Sequence, residues 1–146
     1  MTIIKYDSSL MQTMSLFERI THAKIKDCFI DDKLGILTFV VLPGQIGIAV
    51  GRHGDNVKML ENAFKKKIKV VEFHQDKLEF IRNMIRPLQV DEIVEDAGQE
   101  GEEGIILIKS RDTRIKGLII GRNAMNLRNL EENVKRYFKI NEIRVV

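Results

Sequence analysis

The sequence has little of the material from which metal centres, disulfide frameworks and membrane helices are built. Its 146 residues include one cysteine, three histidines and no tryptophan. A single cysteine cannot form an internal disulfide, and with scattered histidines it gives no zinc-binding pattern. No apolar run approaches the roughly 20 residues that a membrane-spanning helix requires. These absences exclude disulfide-stapled, zinc-binding and membrane-embedded proteins.

Catalytic and nucleotide-binding motifs are also missing. The ten glycines form neither the phosphate-binding loop of nucleotide hydrolases nor the dinucleotide-binding fingerprint. No serine, cysteine or carboxylate pair accompanies a histidine at a spacing that suits catalysis. Aromatic residues make up only 6% of the chain, which argues against a surface of stacked aromatic rings. We therefore expect neither an enzyme nor a bound cofactor or metal.

The composition that remains is typical of a soluble globular protein, with 44% hydrophobic and 31% charged residues. The first residues show no basic segment followed by an apolar one, so we expect no secretory signal. The single Cys28 fits a reducing compartment. We expect a cytoplasmic monomer that has no membrane partner.

The most informative feature is an internal repeat. Residues 50–57 read VGRHGDNV and residues 120–127 read IGRNAMNL, 70 positions further along the chain. The match continues outward on both sides without a gap. An ungapped repeat of this length predicts two copies of one domain, which we place at residues 1–75 and 76–146. The join lacks a Gly-, Pro- or Ser-rich spacer, so we expect the copies to hold a fixed mutual orientation.

Hydrophobic periodicity and turn residues predict the order α-β-β-α-α-β in each copy, an α+β fold. For the first copy the predicted elements are a helix ending near His22, strands 25–31 and 36–42 around a hairpin turn at 32–35, helices 45–50 and 55–66, and strand 68–73. For the second copy they are a helix at 76–86, strands 89–95 and 105–109, helices 114–120 and 125–137, and strand 139–145.

Charges in the second half are sorted along the chain. Between Asp91 and Glu103 there are seven acidic residues and no basic ones, whereas Lys109 to Lys139 contains nine basic and three acidic residues. A basic surface around a repeated motif is typical of proteins that bind a polyanion. The simpler interpretation, in which each run is only a solvated face, stays open for both.

The repeated turn suits an approach to phosphate. Gly51 and Gly54 permit a sharp turn and leave room for a ligand next to the backbone. Arg52 adds a permanent charge with paired donors, and His53 adds a donor whose charge depends on pH. Peptide N–H groups at the start of the next helix can meet a phosphate. An ordinary corner between two helices is the alternative for a single turn of this kind, and the repetition argues against it.

These residues resemble the KH family, whose pattern is an apolar residue, Gly-x-x-Gly, and a second apolar residue three positions later. VGRHGDNV matches every fixed position, and the helix-first order resembles the prokaryotic (type II) form. The resemblance implies two tandem type II KH domains, each with a three-stranded mixed sheet covered by helices. It also implies binding of single-stranded RNA or DNA, with each loop clamping about four nucleotides.

A more specific resemblance is to the NusA family, through the stretch PGQIGIAVGRHGDNVKMLE and the nearly linker-free tandem arrangement. The chain looks like the short archaeal form of that family. The resemblance implies an elongation and termination (or antitermination) factor that acts on nascent single-stranded RNA together with RNA polymerase. A protein-interaction factor that has partly lost RNA binding, and a ribosome-associated KH protein, stay open as alternatives.

The resemblance carries the RNA-binding role onto both repeated segments. The second segment departs at Ala124, which replaces the second glycine and resists positive φ, so there we expect a looser contact or a slightly different turn. The candidate RNA-binding residues are Ile48, Val50, Gly51, Arg52, His53, Gly54, Asn56, Val57, Lys58, Ile120, Gly121, Arg122, Asn123, Ala124, Asn126, Leu127 and Arg128.

Overall fold

The computed structural model describes residues 8–31 and 33–146, which divide into two compact units between His74 and Gln75. The predicted first domain begins with residues 1–7, and the predicted hairpin turn includes Asp32; both lie outside the described residues. Within the described part, no helix is long and apolar enough to cross a bilayer.

The first unit has the predicted α-β-β-α-α-β order. Its elements are α1 (Ser8–Thr21), β1 (Ile25–Asp31), β2 (Ile36–Val41), α2 (Ile46–Val50), α3 (Asp55–Phe64) and β3 (Lys67–Glu72). Strand β2 is central, antiparallel to β1 and parallel to β3. The parallel pairing requires a crossover, and α2 and α3 provide it. The predicted three-stranded mixed sheet is confirmed.

The second unit repeats this order and the same sheet. Its elements are α4 (Lys77–Ile85), β4 (Glu92–Asp96), β5 (Ile105–Lys109), α5 (Thr113–Ile120), α6 (Met125–Val134) and β6 (Glu142–Val145). Strand β5 is central, antiparallel to β4 and parallel to β6. The α+β prediction is therefore confirmed in both units.

One face of the first sheet forms a core with α1 and α3. Phe17 on α1 stacks on Phe39 of β2 with ring centroids 4.3 Å apart, and Leu60 of α3 is fully buried with them. Cys28 of β1 is part of the same core, as expected of a small buried residue. Each such large side chain contributes about 2 kcal/mol through burial, which fixes α3 relative to the sheet.

The second unit packs around Phe80 of α4, which meets the rings of Tyr137 and Phe138 at 5.4 and 5.7 Å. These two aromatic residues follow α6 directly, so they tie the end of that helix to α4. In β5 of the same unit, Ile106 and Ile108 are fully buried and alternate with the less buried Ile105, Leu107 and Lys109. The alternation explains why a strand forms at this position.

Several element ends differ from the sequence-based prediction. Helix α3 stops at Phe64, because Lys65 adopts a left-handed conformation (φ 56°) and donates its N–H to the carbonyl of Glu61. Helix α6 stops at Val134, three residues before the predicted end. There the N–H groups of Arg136 and Tyr137 bond to carbonyls three residues back, which tightens the chain into turns. Strands β4 and β6 each begin three residues later than predicted.

Candidate nucleic-acid interface

Each unit turns sharply between two helices at a glycine. Gly51 lies between α2 and α3 with φ 78° and ψ 174°, and Gly121 lies between α5 and α6 with φ 73° and ψ 175°. This combination of dihedral angles is essentially restricted to glycine. The first glycine of each motif is therefore required by the backbone itself, before any ligand is considered.

Side-chain packing adds a second reason for glycine at these positions. A Cβ atom added to Gly51 would lie 2.8 Å from Cγ of Asn56, and one added to Gly121 would lie 2.5 Å from Cγ of Asn126. Both distances are well inside van der Waals contact. The asparagine side chain of each unit thus occupies the space that a larger residue would need.

The remaining loop residues have the same conformation in both units. His53 and Gly54 adopt φ of 54° and 73°, and Asn123 and Ala124 adopt φ of 56° and 58°. The N–H groups of Gly54 and Ala124 each donate to the carbonyl of the first glycine at 3.2 Å. The second loop was expected to have a looser contact or a slightly different turn, and the turn differs only by 15° in φ between Gly54 (73°) and Ala124 (58°). Ala124 accepts the left-handed conformation because the flanking hydrogen bonds impose it.

The charged and polar side chains of the two loops face solvent. Arg52 and His53 are exposed in the first unit, and Arg122 and Asn123 are exposed in the second. Lys58 and Arg128, on the first turns of α3 and α6, are exposed as well. The structure therefore brings the predicted basic residues to the surface around each glycine turn, where a phosphate can approach.

The local charge is not equal in the two loops. In the first loop an exposed carboxylate, Asp55, begins α3 within three positions of Arg52. The corresponding residue in the second loop is Met125, so the guanidinium of Arg122 has no acidic neighbour at that position. Ala124 removes some backbone freedom from the second loop, whereas the missing carboxylate favours an anion there.

Helices α3 and α6 lack the side-chain cap that α4 and α5 have at their first turns. Asp76 and Asp112 accept hydrogen bonds from N–H groups in the first turns of α4 and α5. Helices α3 and α6 instead begin after Gly54 and Ala124, whose side chains offer no acceptor. No side chain therefore caps these two helices, and the N–H groups of Asp55 and Met125 bond instead to the backbone carbonyls of Arg52 and Arg122. The positive ends of both helices lie beside the exposed loop arginines, which favours an anion there.

Two apolar residues stand out beside the loops because they are half exposed. Ile48 on α2 and Leu118 on α5 each expose 50% of their surface. They are related by the same 70-position offset as the motif. Ile48 is one of the predicted site residues, but Leu118 was missed, although the repeat alone would have identified it. Such side chains can contact the faces of unstacked bases.

The other predicted apolar residues lie deeper. Val50 and Val57 in the first unit, and Ile120 and Leu127 in the second, are only partly accessible. Val57 packs against the core of its unit. Ile48 and Leu118 therefore present more accessible apolar surface than these four residues do.

Asn56 and Asn126 form hydrogen bonds within the protein. The amide Nδ2 of Asn56 donates to the carbonyl oxygen of Ile48 at 3.0 Å, and that of Asn126 donates to the carbonyl oxygen of Leu118 at 3.1 Å. Both were predicted as RNA-contacting residues. The structure places each of them across the loop, with its amide directed to the preceding helix.

Two sheet-and-helix units that each carry a glycine turn of this geometry define a protein of the KH class. A sequence profile of the KH domain matches residues 12–87. The chain is 30% identical to the "Probable transcription termination protein NusA" of Methanocaldococcus jannaschii, over 100% of this chain and 77% of that protein. For the protein of the same name from Methanococcus vannielii the identity is 31%, over 98% and 80%. The chain therefore belongs to the KH-domain proteins and, among them, to the NusA family.

Further comparisons agree with this assignment. The Thermoplasma acidophilum protein with the same name is 25% identical over 99% of this chain and 97% of its own. The crystal structure of APE1850 has the same fold, with a TM-score of 0.78 and 24% identity over 97% of this chain and 100% of that one. The resemblance to archaeal NusA proteins is confirmed by the three relatives of that name, and the solved structure shows the fold.

Proposed function

We propose that this protein is a non-enzymatic factor that binds single-stranded RNA through the loops at residues 51–54 and 121–124. The observation that carries the proposal is the shared backbone of the two loops, each with an exposed arginine directly after the first glycine. A phosphate at the turn meets a guanidinium and the positive end of the following helix, while a base can lie on Ile48 or Leu118.

The proposal for the function in the cell rests on the family. Relatives over nearly the whole chain carry the name of a transcription termination protein. We propose that this chain acts on the nascent transcript with RNA polymerase and alters elongation, pausing or termination. In this proposal residues 1–75 and 76–146 are the two KH domains, and the protein acts as a cytoplasmic monomer.

Two loops on one chain have an energetic advantage over one. When the first loop has bound, the second meets the same strand at a high effective concentration, and the combined affinity can rise by ~10²–10⁴. Weak individual sites can then produce stable binding to a transcript. The advantage requires only that both loops reach one RNA strand.

Fluorescence anisotropy with short RNAs tests the RNA-binding part. We expect single-stranded RNA to bind more tightly than a duplex of the same sequence, with affinity falling steeply as salt increases, by a slope of about 0.7 for each phosphate contacted. Affinity that does not respond to salt would contradict phosphate binding at the loops.

A reconstituted transcription assay tests the second part. Archaeal RNA polymerase stalled on a template is supplied with wild-type protein or with Gly54→Asp, and pausing and transcript release are measured. We expect the wild type to change both and the variant to have less effect. If Gly54→Asp acts as well as the wild type, the protein-interaction alternative is favoured. If the protein purifies with ribosomal subunits rather than polymerase, the ribosome-associated alternative is favoured.

A further inference from the structure

We infer that Asn56 and Asn126 are positioning residues, which hold the two loops in the shape that binds RNA instead of contacting RNA themselves. This inference rests on the proposed function for its effect on binding. Its structural part stands independently, because it concerns a hydrogen bond within the protein. It changes the role of two residues that the sequence pattern alone assigns to RNA contact.

The first argument is the identity of the acceptor. Ile48 lies in the last turn of α2, where backbone carbonyl groups have no partner within the helix. The Asn56 amide donates to this carbonyl at 3.0 Å from the first turn of α3. One side chain therefore joins the end of one helix to the start of the next, across the glycine turn.

The second argument is the repetition of the bond. In the other unit the Asn126 amide donates to the carbonyl of Leu118, in the last turn of α5, at 3.1 Å. Helix α5 has 8 residues and α2 has 5, so the two helices differ in length and sequence. The same bond recurs in spite of those differences, which indicates that the loop geometry depends on it.

The third argument is the effect on the glycine. Gly51 and Gly121 can adopt many backbone conformations in the absence of restraint. Each asparagine side chain fills the space directly over its glycine, at the 2.8 and 2.5 Å distances from an added Cβ given above. Hydrogen bond and packing together limit the glycine to the observed turn. The carbonyls involved also belong to the half-exposed Ile48 and Leu118, so the same bond sets the apolar surface relative to the turn.

The hydrogen bond affects RNA binding through the fraction of molecules whose loop has the binding-competent shape. RNA binds only the fraction of molecules in which the loop has the competent shape, and the apparent Kd rises as that fraction falls. Losing one net hydrogen bond changes such an equilibrium by roughly 2- to 10-fold. Replacing a positioning residue should therefore weaken binding by about this factor, and by the same factor for every RNA sequence.

The test uses Asn56→Ala and Asn126→Ala in the full chain. Asn62→Ala is the matched control, since Asn62 is an exposed asparagine on α3. Amide hydrogen exchange is measured first in the absence of RNA. We expect the Gly51 and Gly54 amides to exchange roughly 2- to 10-fold faster in Asn56→Ala. Unchanged exchange of the β2 amides, in the centre of the same unit, is the evidence that this unit is folded.

RNA affinity is then measured with oligo-U, oligo-A and oligo-C. Positioning predicts the same fractional loss for all three and an unchanged salt slope, because no phosphate contact is removed. Losses that differ between the bases, or weaker binding with loop exchange unchanged in the free protein, would overturn the inference. If the wild type binds no RNA, the proposed function fails, while the exchange measurement still decides whether the asparagines hold the loops.

Discussion

Gly54 and Ala124 occupy equivalent positions in the two loops and adopt nearly the same backbone conformation, with φ and ψ of 73° and 17° for the glycine and 58° and 23° for the alanine. A Cβ atom added to Gly54 would meet nothing within 4 Å. Ala124 therefore introduces a small backbone strain into a turn that the two loops share, and it does not change the shape of the turn.

This equivalence predicts that Gly54→Ala is tolerated. The left-handed conformation costs an alanine about 1 kcal/mol, so we expect the free energy of unfolding to fall by about that amount while RNA binding is retained. Urea denaturation and anisotropy measure the two quantities. The reciprocal change Ala124→Gly should not lower stability. A Gly54→Ala variant that loses RNA binding altogether would show that the two loops are not equivalent.

Gly51 should behave differently from Gly54, although the sequence motif treats them alike. Gly51→Ala forces a glycine-only conformation on alanine and places Cβ against Asn56. We expect a loss of roughly 3 kcal/mol or more, several times that of Gly54→Ala. Gly121→Ala should have a similar effect in the second unit. Thermal unfolding of Gly51→Ala, Gly54→Ala, Gly121→Ala and Ala124→Gly measures the difference. If Gly51→Ala lowered the stability no more than Gly54→Ala does, the prediction would be refuted.

The loop arginines should determine the salt dependence of binding. Arg52→Ala and Arg122→Ala each remove one exposed guanidinium next to a glycine turn. We expect each to lower the slope of log affinity against log salt by about 0.7, the value for one phosphate contact on a single strand. Arg144→Ala is the control, because Arg144 pairs with Glu142 in β6. An unchanged slope in Arg52→Ala would place its side chain away from the phosphates.

Stability should depend on pH through Lys69 of β3. Burial lowers the pKa of its ammonium group below the usual 10.5. Between the lowered pKa and 10.5 the unfolded chain binds more protons, so stability should rise with pH in that window. Lys69→Met should stabilise the protein at neutral pH, with an advantage that shrinks towards pH 10.5. Lys67→Met, an exposed change on the same strand, is the control. Destabilisation by Lys69→Met at neutral pH would mean that contacts of the ammonium outweigh its desolvation.

The sequence was sufficient for the element order and the loops, because both depend on local signals. Gly51 and Gly121 mark sharp turns between apolar helices, and the alternation of Ile106 and Ile108 marks a strand. Helix ends were less predictable. Tyr137 looks like a continuation of α6, but its N–H bonds to the carbonyl of Val134 in a tighter turn and its ring packs on Phe80, beyond the end of the helix.

The internal contacts of the site were beyond the sequence for a similar reason. Asn56 follows the glycine turn in a position where an RNA contact is reasonable, and its bond to Ile48 depends on how α2 folds back against α3. Ala124 likewise adopts a left-handed conformation that alanine disfavours, within a turn closed by the bonds from its own N–H to Gly121 and from Met125 to Arg122. Leu118, by contrast, could have been found from the repeat.

The central claim is that both loops bind RNA, and two acidic substitutions test it most directly. RNA affinity is measured for wild type, Gly54→Asp and Ala124→Asp. The controls Gly35→Asp and Gly101→Asp place the same charge at other glycines of positive φ with open space around them. An added carboxylate at a phosphate site should weaken binding by about tenfold or more. The account predicts that both loop variants lose affinity and both controls keep it. Full affinity in Ala124→Asp would contradict the claim for the second loop, and full affinity in both loop variants would contradict it altogether.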